Sequence, residues 1–187
     1  MIEKNLILEN DKVLLKPFSE QDFPLLQILC NEPEMWTWFT HDLQTKEGFM
    51  NWAKPALIQE RFQFTVFEKT KGKVAGSTAF GNFSPRDKRL EIGWTWLGKE
   101  FHGTGINQEM KYLMLEYCFE KLDLERVEFK TDVLNLSARH ALLKLGAIEE
   151  GILRSHTLMV KGRRRDTIYY SVLPEDWVKI KSKKSRN

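Results

Sequence analysis

The sequence has little cysteine, no long apolar run and little net charge, and each shortage excludes a class of protein. Only two cysteines occur among 187 residues, Cys30 and Cys118, each within an apolar helical pattern. We therefore predict two buried free thiols rather than a disulfide. No apolar run approaches the roughly 20 residues that span a bilayer. The N-terminus carries acidic residues and no signal-like apolar block, so a cytoplasmic location without membrane contact is predicted.

The net charge of +3 is too small to indicate a nucleic-acid partner. A local exception is the basic tail at about 179–187, with Lys179, Lys181, Lys183, Lys184 and Arg186. Such a tail can contact RNA, but we favour a frayed and solvated terminus. Hydrophobic residues make up 42% of the chain and charged residues 29%, a balance typical of a globular protein with one core.

Hydrophobic periodicity predicts one α/β domain over residues 1–187, with a mixed and mainly antiparallel sheet. Strands are predicted at 13–18, 62–68, 74–80, 89–97 and 126–132, followed by two closing strands. Helices are predicted after the N-cap Ser19, in a broken region near 31–60, at 105–121 and at 136–145. The apolar stripe of helix 105–121 is Met110, Leu113, Met114, Tyr117 and Cys118. Its solvent-exposed face is then predicted to hold Glu109, Lys111, Glu116 and Glu120.

A glycine-rich turn between strand 89–97 and helix 105–121 predicts an anion site. Gly103 and Gly105 allow close approach of a ligand to the backbone. The N–H groups at the helix start have no intrahelical partner, and the helix dipole favours a phosphate there. A Walker loop is excluded because Ile106 and Asn107 follow Gly105, and a dinucleotide fingerprint would need a small residue in place of Gln108.

This turn resembles the acyl-coenzyme A loop of the GNAT N-acetyltransferases, whose pattern is Arg/Gln-x-x-Gly-x-Gly/Ala. His102, Gly105 and Asn107 occupy its first, fourth and sixth positions, and the first and last of these differ from the consensus. The segment NLSARHALLKLGA at 135–147 resembles the second helix of that family, and residues 149–173 resemble the closing hairpin of its RimJ/RimL-type branch. The opening stretch at 13–29 also fits that branch. The resemblance covers the core at about 10–175.

The resemblance implies the fold and the cofactor. The fold would be a sheet of six to seven strands flanked by helices, in which the strand ending near Leu97 and the strand starting near Arg126 splay apart. Acetyl-CoA would lie in that gap. Its expected contacts are Trp96, Leu97, His102, Gly103, Thr104, Gly105, Ile106, Asn107, Asn135 and Arg139. Asn135 could equally serve only as a helix N-cap. No metal is expected.

Two residues are candidates for the general base that deprotonates an amine. Glu91 lies on the strand before the loop, in a Glu-Ile pair similar to that of histone-type acetyltransferases, and it could instead form a structural ion pair with Arg89 or with a neighbouring strand. Alternation predicts that Leu90, Ile92, Trp94 and Trp96 share one face and that Glu91 lies on the other. His156 stands beside the position of a catalytic Glu in the ribosomal branch, which here is Thr157. Water relays without one essential base remain an alternative.

The general acid departs from the family pattern. The branch has a Ser three residues after the helix-opening Asn, where this sequence has Ala138, and the wider family often has a Tyr where Leu142 stands. Ser137 is the substitute we consider, against the alternative of a surface cap. The thiol, with a pKa of about 8.5, can also leave without a dedicated acid.

The acceptor is expected to meet the aromatic region near 36–52. Trp36 and Trp38 could form an apolar lid suited to a peptide N-terminus or an amphipathic amine, or could be core. Asp166 could bind the acceptor's ammonium or hold the closing hairpin. The branch resemblance implies a ribosomal-protein α-amine, with a small-molecule amine or antibiotic, or a non-catalytic acyl-CoA sensor, as alternatives. The protein is expected to be a monomer or a homodimer.

Overall fold

The computed structural model describes residues 2–185, and of Lys161 it describes the backbone alone. Eight strands form one sheet in the order β1-β2-β3-β4-β5-β6-β8-β7. They are β1 Leu8–Glu9, β2 Val13–Pro17, β3 Phe62–Glu68, β4 Lys73–Ser84, β5 Arg89–Leu97, β6 Arg126–Asp132, β7 Ile148–Leu158 and β8 Arg164–Val172. All neighbours are antiparallel except β5 and β6. The mixed, mainly antiparallel sheet is confirmed, and the short strand β1 takes the count above the predicted six to seven.

Five helices cover the two faces of this sheet. They are α1 Phe23–Leu29, α2 Lys46–Leu57, α3 Ile106–Glu116, α4 Leu136–Leu145 and α5 Pro174–Lys184. The helices α1 and α2 enclose a cluster with Trp52 and Trp96 on one face, whereas α3, α4 and α5 pack on the larger core of the other face. Within residues 2–185, no helix has the length and apolar character needed to cross a bilayer.

The parallel strands β5 and β6 stay together over only three residue pairs. Glu91 and Glu128 form the last of these pairs. Beyond it, Gly93 to Leu97 of β5 and Phe129 to Asp132 of β6 have no ladder between them. The β5–β6 gap defined by these two diverging segments confirms the predicted splay.

The predicted alternation along β5 is wrong after Ile92. Thr78 of β4 lies opposite two residues of β5, because Ser77 pairs with Trp96 and Ala79 pairs with Gly93. The extra residue is accommodated at Trp94, which has a left-handed φ of 50°. A Cβ on Gly81, the partner of Glu91, would lie 2.4 Å from the Trp94 ring, so Trp94 lies on the Glu91 face.

The predicted exposure of Lys111 is also wrong. Its side chain is buried, although the stripe predicted a solvent-facing position. Lys111 shares the sheet-facing side of α3 with Met114, Leu115 and Cys118, which follow at three, four and seven residues and are all buried. A second apolar stripe, displaced by one residue from the first, therefore places this lysine inside the core.

The C-terminal segment is helical rather than frayed as far as Lys184. Pro174 opens α5, and Trp177 packs on Tyr112 and Phe119 of α3 and its continuation, at ring distances of 5.0 Å and 6.0 Å. Lys181 pairs with Glu120 at 2.6 Å, which ties the basic segment to the fold. Arg186 lies outside the described residues. Cys30 and Cys118 are buried free thiols, as predicted.

Candidate active site

The loop before α3 presents a run of unused backbone donors. Within residues 2–185, the backbone N–H groups of residues 103–107 have no hydrogen-bond partner, and the first N–H that bonds into the helix is that of Gln108. Gly103 and Gly105 have left-handed φ values of 73° and 88°, and open space surrounds both Cα atoms. Five free donors at the start of an eleven-residue helix are an arrangement suited to an anion.

Internal hydrogen bonds hold this loop against the end of β5. The Thr104 hydroxyl donates to the Phe101 carbonyl at 2.7 Å. The His102 ring Nε2 lies 2.9 Å from the Leu97 carbonyl, so His102 shapes the loop through its ring. The loop residues 102–105 are exposed, and the free donors lie at the open end of the β5–β6 gap.

Asn135 and Arg139 are both engaged within the fold. The Asn135 side chain caps α4 by accepting the Ala138 N–H at 3.1 Å. The Arg139 guanidinium donates to the Val133 carbonyl at 3.0 Å and to the Tyr170 hydroxyl at 3.2 Å, and it pairs with Glu149 at 3.5 Å. Asn135 lies three residues after the end of β6, near the gap. The Arg139 guanidinium is instead held by Val133, Tyr170 and Glu149.

Glu91 is a buried carboxylate with two polar partners. Its Oε2 accepts the Asn82 side-chain amide at 2.7 Å and pairs with Lys130 Nζ at 2.7 Å. The predicted structural ion pair therefore exists, with Lys130 of the neighbouring strand rather than with Arg89. Because the bulge turns Trp94 to the same face, the carboxylate and that indole share one side of the sheet.

His156 lies on the same face of the sheet as Glu91. A bulge in β7 places three residues between the pairs Leu153–Thr167 and Thr157–Arg165. The His156 Nδ1 lies 3.1 Å from the Thr167 hydroxyl and 3.2 Å from that of Thr157. His156 and Thr157 therefore meet at this bulge, contrary to the simple alternation that would separate them.

Tyr169 connects these two candidate bases. Its ring lies 6.0 Å from the His156 ring and 5.8 Å from Lys130 Nζ, and Lys130 binds Glu91. Asp166, by contrast, accepts the Ser155 N–H at 2.6 Å, a contact that holds the β7 bulge. Ser137 lies on the exposed surface of α4, on the far side of the sheet from Glu91 and His156.

The aromatic region divides into core and surface. Trp36 is buried, and its indole donates to the Cys30 carbonyl at 2.9 Å. Trp38 is half-buried, with its ring 5.7 Å from the Arg163 guanidinium. The buried indole N–H groups of Trp52 and Trp96 have no partner among residues 2–185. Trp36 is thus a supporting residue, and Trp38 is the tryptophan of the pair that remains accessible to an acceptor.

Arg61 is a functional candidate that sequence reasoning missed. Its buried guanidinium lies between the rings of Trp52 and Trp94, at 5.5 Å and 5.4 Å, and donates to Gln63 at 2.6 Å. No carboxylate of residues 2–185 lies within ion-pair distance of it. Burial lowers the pKa of Arg61 to about 10, although the guanidinium stays charged at neutral pH. A lone Arg before a strand carries no sequence signal for such a site.

A gap between diverging strands that opens onto a loop of free backbone donors is suited to an acyl-CoA donor. A family model described as an acetyltransferase (GNAT) domain matches residues 12–148. The chain belongs to this family, whose activity is acetyl transfer to an amine.

Several relatives and solved structures are similar to the chain. It is 35% identical over 106 residues to the candidate ribosomal N-acetyltransferase YdaF of Bacillus subtilis, a match that spans 57% of each chain. It is 25% identical over 141 residues to the ribosomal-protein-serine acetyltransferase of Escherichia coli, covering 70% of this chain and 75% of the other. A crystal structure of a candidate acetyltransferase from T. thermophilus superposes with a TM-score of 0.89 at 32% identity, covering 100% of this chain and 99% of that one.

Proposed function

We propose that this protein transfers an acetyl group from acetyl-CoA to the N-terminal α-amine of a peptide or protein in the cytoplasm. The observation that carries the proposal is the run of five free backbone donors at residues 103–107, at the open end of the β5–β6 gap. These donors fit the pyrophosphate of the coenzyme, and the unpaired edges of the diverging strands fit the amides of its pantetheine arm.

The bound thioester would supply an activated acetyl group, and the protein would position and deprotonate the amine. Glu91 and His156 share the face from which an acceptor can approach, so either can receive the amine proton directly or through water. A backbone N–H near Trp96 or Leu97 is the proposed donor to the oxyanion. Asn135, at the end of β6, would border the coenzyme.

The charge of the acceptor face favours a peptide over a polycation. Four cationic side chains stand around this face, Arg61, Lys130, Arg163 and Arg165. Within residues 2–185, two of these four cations form an ion pair, Lys130 with Glu91 and Arg163 with Asp132. A polyamine or an aminoglycoside would meet net repulsion there, whereas a peptide brings one ammonium group. The name of the Escherichia coli relative supports a ribosomal protein as the acceptor.

Thiol release from acetyl-CoA tests the proposal. The panel contains peptides with Ser, Ala and Met at the N-terminus, polyamines and aminoglycosides, and calorimetry measures coenzyme binding in parallel. We expect release with peptides and little with polycations. Thiol release with polyamines or aminoglycosides alone would show that the acceptor is a polycation rather than a peptide. Binding without release on any acceptor would favour an acyl-CoA sensor, and absence of binding would contradict the role given to residues 103–107.

A further inference from the structure

Lys111 is a buried lysine without an acidic partner. Its Nζ lies 2.5 Å from the Thr95 hydroxyl and 3.3 Å from the Thr78 hydroxyl, and 5.8 Å from the centre of the Phe129 ring. Within residues 2–185, no carboxylate lies within ion-pair distance of this nitrogen. Burying an ammonium group on neutral partners is costly, so a purely structural role would be served better by Met or Leu.

The position of Nζ along the β5–β6 gap is informative. Thr95 belongs to the diverging part of β5, and Phe129 is the first residue of β6 beyond the last paired residue, Glu128. The nitrogen therefore lies on the α3 side of the sheet, hydrogen-bonded to β4 and β5, with the Phe129 ring at the start of the gap beside it. The free donors at residues 103–107 follow the other, open end of the gap. A pantetheine arm that ran from those donors into the gap would bring its terminal thioester towards the closed end.

The surroundings of Lys111 suit proton transfer. Thr78 of β4, Thr95 of β5 and Phe129 of β6 face it with uncharged groups, and its own helix places Met114 and Leu115 on the same side. Glu91, on the other face of the sheet, is the charged group that acts on it. Burial lowers the pKa of Lys111 to about 7 and outweighs the negative charge of Glu91, which acts to raise it. A group with this pKa can both give and regain a proton near neutral pH.

We propose that Lys111 is the general acid that protonates the leaving thiolate. This inference rests on the proposed function, and it fills the role that Ala138, Leu142 and the distant Ser137 leave open. Nζ would approach the sulfur from the α3 side of the sheet, opposite the face from which the amine attacks.

The proton and electron balance of the step is complete. As the acceptor nitrogen forms its bond to the acetyl carbon, the carbon–sulfur bond breaks and its electron pair stays on sulfur. Nζ gives that sulfur one proton and becomes a neutral amine held by Thr95. The acceptor nitrogen loses its proton to the base on the other face. Lys111 regains a proton from solvent after the thiol departs, so no further reactant is needed.

The first test needs no turnover. The ultraviolet absorbance of the thiolate of coenzyme A is titrated in complexes with wild type, Lys111→Met and the control Lys121→Met, whose lysine is exposed at the end of the same helical segment. A thiolate beside Nζ would keep the lysine protonated above its pKa of about 7, and the ammonium would in turn stabilise the thiolate. The thiol of the wild-type and control complexes should therefore titrate about one pH unit or more below that of Lys111→Met. Equal titration in all three complexes would overturn the proposal.

The second test distinguishes an acid from a packing residue. Lys111→Met should lower kcat about tenfold or more with acetyl-CoA while the KM for the coenzyme changes little. With the oxygen-ester analogue, whose leaving group is more basic, the loss should grow. An equal loss with both donors would show that Lys111 does not protonate the leaving group. If the wild type releases no thiol with any amine, the proposed function fails, and the thiolate titration still decides on Lys111.

Discussion

At the scale of single residues, Lys111 makes a prediction for stability as well as for chemistry. Its pKa is about 7 in the folded protein, below the ordinary 10.5 that applies when the chain unfolds. Between these values the unfolded state binds one proton more than the folded state, so this residue makes stability rise with pH across that interval. Each unit of the difference corresponds to about 1.4 kcal/mol. Below about pH 7 both states are charged, and the folded state bears the full cost of burying the ammonium.

Lys111→Met should therefore be more stable than wild type at pH 6, and its advantage should shrink as the pH rises to 9.5. Urea unfolding at the two pH values measures this difference. Lys121→Met should show no such dependence, since that side chain is exposed. A constant difference between Lys111→Met and wild type across the pH range would mean that folding does not lower the pKa of Lys111.

Glu91→Gln tests the buried base. The amide keeps the size of the side chain but cannot take a proton from the amine, so we expect kcat/KM to fall more than tenfold, or about 1.4 kcal/mol. The matched control is Glu68→Gln, a buried sheet carboxylate that accepts backbone N–H groups of Thr70 and Lys71 at 2.8 Å. Comparable losses in both variants would assign the effect of Glu91 to folding rather than to proton transfer.

His156→Ala tests the alternative base in the β7 bulge. If His156 receives the amine proton, its removal should lower kcat/KM more than tenfold. His140→Ala, which removes an exposed imidazole on α4, should leave kcat/KM unchanged. If neither Glu91→Gln nor His156→Ala reaches a tenfold loss, water relays replace both assignments.

Residue-level prediction succeeded where a local rule decides and failed where packing decides. The left-handed turn glycines Gly103 and Gly105, the cap Asn135 and the two free thiols follow from short-range patterns that the fold leaves intact. Arg61 and Lys111 depend on which side chains meet across the sheet. The spacing of Lys111 to Met114, Leu115 and Cys118 indicates a buried position. The positive charge of the side chain had suggested an exposed one.

At the scale of elements, the proposed binding of coenzyme A by the loop before α3 can be tested separately from the backbone strain at its glycines. Ala at Gly105 must adopt a left-handed φ of 88°, which costs about 1 kcal/mol and shifts the donors of residues 103–107. Gly72 has a φ of 64° and equally open surroundings in the turn between β3 and β4. Both Gly105→Ala and Gly72→Ala should lose similar stability, but only Gly105→Ala should lose affinity for coenzyme A, as measured by calorimetry. If Gly105→Ala and Gly72→Ala bind coenzyme A with equal affinity, the phosphate does not bind at residues 103–107.

The elements themselves were largely predictable because their boundaries carry strong turn and cap residues. The sequence could not show the bulge at Trp94, since a strand of alternating apolar residues gives no sign of an added residue. That one residue brings Trp94 and Trp96 to the face of Glu91. The helix α5 did carry signals, with Pro174 at its first position and Glu175 and Asp176 in the first turn. Its cluster of lysines suggested a disordered tail instead.

At the scale of the whole molecule, the sheet separates two tasks. The face under α3 and α4 holds Lys111, where a leaving thiolate would need a proton. The opposite face holds Glu91, His156 and the excess of cationic side chains, where an acceptor amine would bind. The β5–β6 gap lies between the two faces, so a donor bound there could be reached from both sides. Under the proposal for Lys111, this division would supply the general acid that is absent at the positions usual in the family.

The excess charge of the acceptor face predicts a preference among peptides. An acidic residue after the reacting N-terminal residue would lie near Arg61, whose guanidinium has no carboxylate partner within residues 2–185. We expect kcat/KM to be about tenfold higher for a peptide with Asp at the second position than for one with Lys, because buried charges interact strongly. Arg61→Gln should remove most of this discrimination, and rising salt should reduce it in the wild type.

Arg154→Gln, which neutralises an exposed arginine of β7, is the matched control and should preserve the discrimination between the two peptides. Discrimination that survives in Arg61→Gln would show that the acceptor's second residue points away from Trp52 and Trp94.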